Sequence, residues 1–455
     1  MTSENNQLGT LPEKQLLKQF AIPSIIAMLV SSLYNIVDQF FIGNTVGELG
    51  NAATNIAFPL NTSCIAVALL FGIGGASTFN LAMGRGDTKK AGNYIGNACV
   101  WMVLLGILIS CLSLSFLKPL LLFFGSPKTV LPYAMEYTGI TAIGFPFLIL
   151  STGGGHLVRA DGSPKMTMVI NITGAVVNTI LDALFVFIFG WGMTGAAWAT
   201  VIGQIIAALI VIVYLRHYKT VTLTKECFRP QKDAALSVAS LGAAPCFNQL
   251  AMMLVQIVMN KTLKYYGSLS VYGESIPIAC SGIIAKVSML VMAFVIGISQ
   301  GLQPIVSFNY GAGNYKRVKK ALGLALSSAA IICVVSFVGF QLFPRQIISI
   351  FGTGSELYFD FAENFFRKFL FFIFLCFLQP ISANFFTAIG KPKKGIFMSL
   401  TRQIIFLLPL LIILPRLMGI DGVMYAGPIA DLIATIICAI LVIKEMKRPE
   451  FSKKE

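Results

Sequence analysis

Twelve times along the chain an apolar run of about 20 residues or more recurs. That recurrence limits the fold more than any other feature. A helix rises about 1.5 Å per residue, so each run can cross roughly 30 Å of hydrocarbon. The runs fall at about 16–43, 52–82, 93–117, 133–155, 166–190, 192–215, 234–263, 276–309, 319–344, 357–389, 395–415 and 422–444. Lipid offers the backbone no hydrogen-bond partners, so runs of this length must close their own bonds as helices. The expected fold is an all-α integral membrane protein with twelve transmembrane helices. With 56% hydrophobic and 12% charged residues, the composition excludes a soluble multidomain enzyme. Pro23, Pro59, Pro245 and Pro304 lie within or near runs, where proline frees a carbonyl and bends a helix.

Charge orients the spans. With the N-terminus inside, 24 of the 34 Lys and Arg residues fall on the inner side, including the 216–232 linker and Lys444 to Lys454. An even number of spans with both termini cytoplasmic follows. The polar stretch Met1 to Gln15 lacks the order of a cleaved signal, so the first span is expected to be retained.

The chain also repeats itself. At an offset of 227, Gly74 meets Gly301, Gly84 meets Gly311, Gly86 meets Gly313, and Lys89-Lys90 meets Lys316-Arg317. Gly96 with Gly323, Phe124-Gly125 with Phe351-Gly352, and Gly195 with Gly422 keep the same offset. At 228, Ala160, Gly162, Pro164 and Lys165 meet Ala388, Gly390, Pro392 and Lys393. A six-span unit is duplicated, and because six is even both copies enter the membrane in the same direction. The pseudo-twofold axis therefore runs along the membrane normal. The expected organisation is an N-lobe at 1–215, a basic cytoplasmic linker at 216–232 and a C-lobe at 233–455, with a cleft between the lobes for substrate.

Ionisable residues inside the runs are few: Asp38, Asp182, Lys286, Arg402 and Asp431, with Glu136 at an edge. A carboxylate near mid-membrane costs about 2.5–3.5 kcal/mol even on lenient insertion scales, so Asp38 is expected to face a protein interior or wet cavity. The alternative is an acid near a helix end that reaches water. Tyr34 and Asp38 share a helical face, as do Asn178 and Asp182, and Ala196 and Thr200. One lobe can thus converge two carboxylates, an amide, a hydroxyl and a phenol. That set can hold a sodium ion through oxygen ligands at Asp38, Asn178, Asp182 and Thr200, or one proton shared between the acids. A hydrogen-bonded network that only fixes helix packing is the simpler alternative, though two acids are hard to justify for packing alone.

The second copy does not reproduce these acids. Gln256, Met259 and Asn260 stand near the place of Asp38, and the stretch matching Asn178 to Asp182 reads Ile405 to Pro409 without an acid. Gln256, Lys286, Arg402 and Asp431 form a candidate polar network there, with a structural salt bridge and a substrate role both open. Met252, Met253, Met259, Met289 and Met292 can give a pliable wall or plain packing.

Other classes lack material. The nine cysteines are spread singly without a C-x-x-C pair, and there are two histidines. No G-x-x-x-x-G-K-[ST] phosphate cradle occurs, which removes an ATP-driven pump of that type. The net charge of +15 comes from residues between spans rather than one basic face, which argues against nucleic acid.

These residues together resemble the multidrug and toxic compound extrusion family across nearly the whole chain. Pro23 followed by Tyr34-Asn35-Ile36-Val37-Asp38 carries the resemblance, as do the paired Gly84-x-Gly86 and Gly311-x-Gly313 loops and Asn178-x-x-x-Asp182. So does the Arg159-Ala-Asp-Gly-Ser-Pro-Lys165 loop with its echo Thr387-Ala-Ile-Gly-Lys-Pro-Lys393. It looks closest to the bacterial branch that includes MepA and DinF. The resemblance implies a bacterial inner-membrane antiporter that expels cationic amphipathic compounds against sodium or protons, as a monomer without cofactors. It places Asp38, Asn178, Asp182 and Thr200 in a first-lobe cation site, Tyr34 nearby, and Pro23 at a first-helix bend. Gln256, where a second-lobe glutamate is expected in another branch, departs from the pattern.

Two rival functions are weighed. A lipid-linked precursor flippase of the same wider superfamily would share the two-lobe plan, but calls for more spans and a cationic cleft. A membrane enzyme would need a catalytic constellation of His, Cys or Ser on one face, and none converges.

Overall fold

Among the described residues every apolar run is helical. The computed structural model describes residues 7–273, 275–351 and 356–452. Gly352 of the repeat, Lys453 and Lys454 of the charge bias, and the first six residues of the polar N-terminus lie outside the described residues. The first half consists of α1 (Glu13–Thr45), α2 (Glu48–Gly84), α3 (Thr88–Ser115), α4 (Leu131–Ala160), α5 (Pro164–Asp182) and α6 (Gly192–Arg216). The second consists of α7 (Lys232–Ser268), α8 (Ser275–Gly311), α9 (Tyr315–Leu342), α10 (Glu356–Ala388), α11 (Pro392–Met418) and α12 (Ile420–Met446). All twelve are long and apolar enough to cross a membrane.

Three spans are not uniform α-helix. A wider π turn over Ala183–Ile188 prolongs α5, and another occupies Thr401–Leu407 within α11. In α10 a 3₁₀ turn at Ile373–Leu375 separates Glu356–Phe369 from Leu378–Ala388. Pro23, Pro59, Pro245 and Pro304 lie inside α1, α2, α7 and α8.

The duplication is visible in how the helices stop. Gly86 and Gly313 have φ of 80° and 79°, and Gly162 and Gly390 have 79° and 73°. Each closes a helix with the same pair of bonds: Asp87 N to Ala82 O and Gly86 N to Met83 O in one copy, Asn314 N to Asn309 O and Gly313 N to Tyr310 O in the other. This left-handed closure satisfies the last carbonyls of a helix and turns the chain sharply back. Short helices at Leu117–Phe123 and Pro344–Phe351 keep the same offset.

The linker is stitched to the first half. Asp161, in the α4–α5 turn, accepts from Lys219 N at 2.8 Å, Thr220 N at 3.0 Å and Tyr214 Oη at 2.8 Å. Burial holds its carboxyl above the usual range even against these donors. Further on, Gln231 N donates to Asn97 Oδ1 at 2.7 Å.

The halves meet where α2 packs on α7 and α1 on α8. On the side carrying the termini, the closest approaches in that seam are to backbone. A Cβ on Gly242 would lie 1.7 Å from Leu70 O, one on Gly74 2.0 Å from Val238 O, and one on Gly301 2.6 Å from Ala21 N. Further along, Gly84 and Gly311 bring α2 against α8, with Cβ positions 2.2 Å from Phe308 O and 2.4 Å from Leu81 O. Gln303 Nε2 bonds Ser77 Oγ across the same seam at 2.8 Å. Toward the far side the facing surfaces of α1 and α8 turn from buried to exposed, at Asn35 on one and Gly282, Lys286 and Met289 on the other. The halves are in contact on the side of the termini, and their facing surfaces are exposed on the other.

The residues leading into α1 fasten this closure. Asn309 Nδ2 donates to Leu8 O at 2.8 Å, Arg317 donates to Asn309 Oδ1 at 3.0 Å and to Leu11 O, and Glu13 pairs with Lys320 at 2.9 Å. Arg317→Ala removes several of these ties, each worth about 0.5–3 kcal/mol. Amide exchange over residues 8–16 is expected to accelerate about tenfold or more. Unchanged exchange would show that the latch contributes nothing.

Candidate functional site

The polar cluster of the first half lies inside it, where α1, α4, α5 and α6 converge. On α1, Ile25 meets Gly297 of the second half. Asp38, thirteen residues later, is turned by about 140° from that direction. It therefore points back into its own half. Asp182 ends α5 and is fully buried; Asn178, one turn earlier on the same face, is buried too. Asn178 Nδ2 donates to Thr200 Oγ1 of α6 at 3.1 Å. The Asp38 and Asp182 carboxyls lie against each other, and the Tyr34 hydroxyl approaches Thr200.

The cluster is short of donors. Asp38 Oδ1, both carboxylate oxygens of Asp182 and Asn178 Oδ1 are buried and have no hydrogen-bond partner among the described residues. A buried acceptor left unsatisfied costs about 1–3 kcal/mol, and more when it is charged. Four together are a set that a cation or a shared proton can satisfy. A sodium ion takes oxygen ligands of this kind, and a proton placed between the two acids would make the bond that neither carboxylate can make alone.

Tyr137 of α4 joins the cluster, beside Asp38, Tyr34, Asp182 and Thr200. The sequence reading did not single it out. A tyrosine in an apolar run has no charge to mark it, and only the packing of α4 against α6 brings it in. Glu136, its neighbour, is exposed and accepts a bond from Thr194.

In the second half Arg402 Nε donates to Asp431 Oδ1, with the side chains 22% and 5% exposed. Gln256 Nε2 bonds Asn260 Oδ1 at 3.1 Å. No hydrogen bond or ion pair among the described residues joins Lys286 to any of them. Pro23 lies fifteen residues before Asp38 within the unbroken α1.

Twelve helices of membrane-spanning length in two copies, with few charged residues deep within the spans, define a multi-pass membrane transporter. The MatE family model matches residues 23–184 and 245–413. The chain belongs to that family, whose members are transporters and not enzymes. Its relatives include the multidrug export protein MepA of Staphylococcus aureus strain MSSA476, 22% identical over 433 residues that span 95% of this chain and 94% of the relative. The MepA of Staphylococcus haemolyticus strain JCSC1435 is 25% identical and covers 96% of each chain. Among solved structures, a MOP superfamily transporter from Pyrococcus furiosus superposes with a TM-score of 0.91 at 21% identity, covering 100% of both chains. A multidrug resistance MATE family transporter in an outward-facing conformation gives 0.90 at 21% identity, with 98% of this chain and 100% of that one covered.

Proposed function

We propose that the chain is a secondary active multidrug efflux antiporter of a bacterial cytoplasmic membrane, with both termini cytoplasmic. It acts as a monomer, and it expels amphipathic compounds, cationic ones among them, in exchange for inward-moving protons or sodium. The carrying observation is the set of four donorless buried oxygens on Asp38, Asn178 and Asp182, beside Thr200. The relatives named for multidrug export support the substrate class. The N-lobe (1–215) and C-lobe (233–455) rock about the cleft, and the 216–232 linker joins them.

Coupling requires that the cation bind one state more tightly than the other. The cation is loaded from outside while the cleft is open away from the termini. Loading is transmitted along α1 to the seam at Ile25 and, past Pro23, at Ala21, and drug affinity falls. The four oxygens suit either ion, so the choice is left to measurement. Efflux of a cationic dye from proteoliposomes is measured with a sodium gradient alone and then with a proton gradient alone. Drive by sodium makes Asp38, Asn178, Asp182 and Thr200 a ligand shell, and drive by protons alone makes the two aspartates a proton site. Failure of both with folded protein overturns the antiporter and leaves the flippase.

A further inference from the structure

We infer that Lys286 makes the C-lobe wall of the cleft a subsite for the acidic group of an amphipathic organic anion or zwitterion. The inference rests on the efflux reading above and extends its substrate class beyond cations.

Helix geometry sets the direction in which Lys286 points. At 100° per residue, Lys286 and Gly297 lie within about 20° of one another on α8, roughly 16 Å apart along it. Gly297 is in backbone contact with α1, a Cβ there falling 2.6 Å from Ile25 Cα, and Gln300 on the same side reaches Met28. This face of α8 is therefore the one turned toward the N-lobe. Its first half is exposed at Gly282, Ala285, Lys286 and Met289, whereas Cys280, Ile284 and Val287, about 100° or more round the helix from Lys286, are buried. Lys286 consequently looks into the open cleft and not into lipid.

Its charge is uncompensated there. Arg402 and Asp431 of the C-lobe neutralise each other as a pair. Asp38 and Asp182 are turned into the N-lobe interior. Lys286 has no ion pair among the described residues, in a region where an ammonium is costly to keep without a partner. There is also room beside it. One turn earlier a Cβ on Gly282 would meet nothing within 4 Å, and one turn later Met289 is 42% exposed and apolar. A point charge next to open space and a soft apolar side chain suits a carboxylate or sulfonate on an aromatic body.

Two dyes that share a xanthene core test this: carboxyfluorescein, an anion, and tetramethylrhodamine methyl ester, a cation. Binding to the purified full chain and efflux from proteoliposomes are measured for each. Lys286→Gln is expected to weaken carboxyfluorescein binding about tenfold while leaving the cation unchanged or improved, and Lys286→Arg is expected to retain both. If Lys286→Gln does not reach the membrane, Lys286→Met and competition of an aromatic carboxylate with carboxyfluorescein on the unaltered protein decide in its place. No binding of carboxyfluorescein to the unaltered protein, or an equal loss of both dyes on substitution, overturns the subsite. Loss of transport of both dyes by the unaltered protein would instead defeat the efflux reading itself.

Discussion

Folded Asp38→Asn protein is expected to show no gradient-driven dye efflux, a fall of at least about 100-fold, which matches the upper range of coupling free energies near 3 kcal/mol. The amide keeps the shape of the carboxylate but brings donors and removes the charge. It would satisfy Asp182 across the contact between the two side chains, and the cluster would no longer demand a cation. A site with no preference for the loaded state cannot bias the equilibrium between states. Drug binding should survive, because the cleft lies on the other side of α1. Asp182→Asn should behave in the same way. Glu136→Gln, at the exposed edge, should cost little. Normal efflux by well-expressed Asp38→Asn protein would remove the acid pair from the mechanism.

The second large effect is expected at the seam. In Gly242→Ala the new methyl would sit 1.7 Å from Leu70 O, and in Gly74→Ala 2.0 Å from Val238 O. Both obstacles are main-chain atoms of a helix, so no side chain can rotate aside. Overpacking of ordinary cores costs about 1–3 kcal/mol, and backbone obstacles belong at or above that upper value. About 3 kcal/mol against closure shifts the population of the closed state by roughly 100-fold. The variants should still fold, fail to seal the side of the termini, and lose turnover. Ser77→Cys, placed in the seam beside Gln303, reports this by its labelling with a membrane-impermeant maleimide over the native cysteine background. Labelling from the side of the termini should appear only with Gly242→Ala or Gly74→Ala. Gly339→Ala, whose Cβ would meet nothing within 4 Å, is the control. If Gly242→Ala leaves both labelling and efflux unchanged, the seam is not the seal.

Much of this was legible without coordinates, for reasons that particular residues make plain. Lipid forces long apolar runs into helices, so the twelve spans follow from hydropathy, and helical spacing alone puts Asn178 and Asp182 on one face. The paired loops at Gly86 and Gly313 announce the duplication because a left-handed backbone there tolerates little else. Other features left no trace. The run from Phe369 to Leu378 is apolar throughout, so the break in α10 at Ile373–Leu375 is silent. The π turn at Ala183–Ile188 carries no signature residue. Tyr137 enters the cluster through packing between helices distant in sequence, and Lys286 parts from Arg402 and Asp431 for the same reason. The shut side of the cleft depends on which glycine meets which carbonyl, as with Gly242 and Leu70, and that pairing is written in neither run by itself.

The glycines of the seam also bear on the cost of parting the two halves. Each Val, Leu or Phe side chain buried there would have to be wetted at every opening, at a cost of about 1.5–3 kcal/mol. Gly74, Gly242, Gly297 and Gly301 have no side chain to wet and no rotamer to freeze. At these four contacts the faces can part without wetting a side chain on the glycine's own helix. In the proposed cycle this narrows the gap that the binding of one small ion has to bridge.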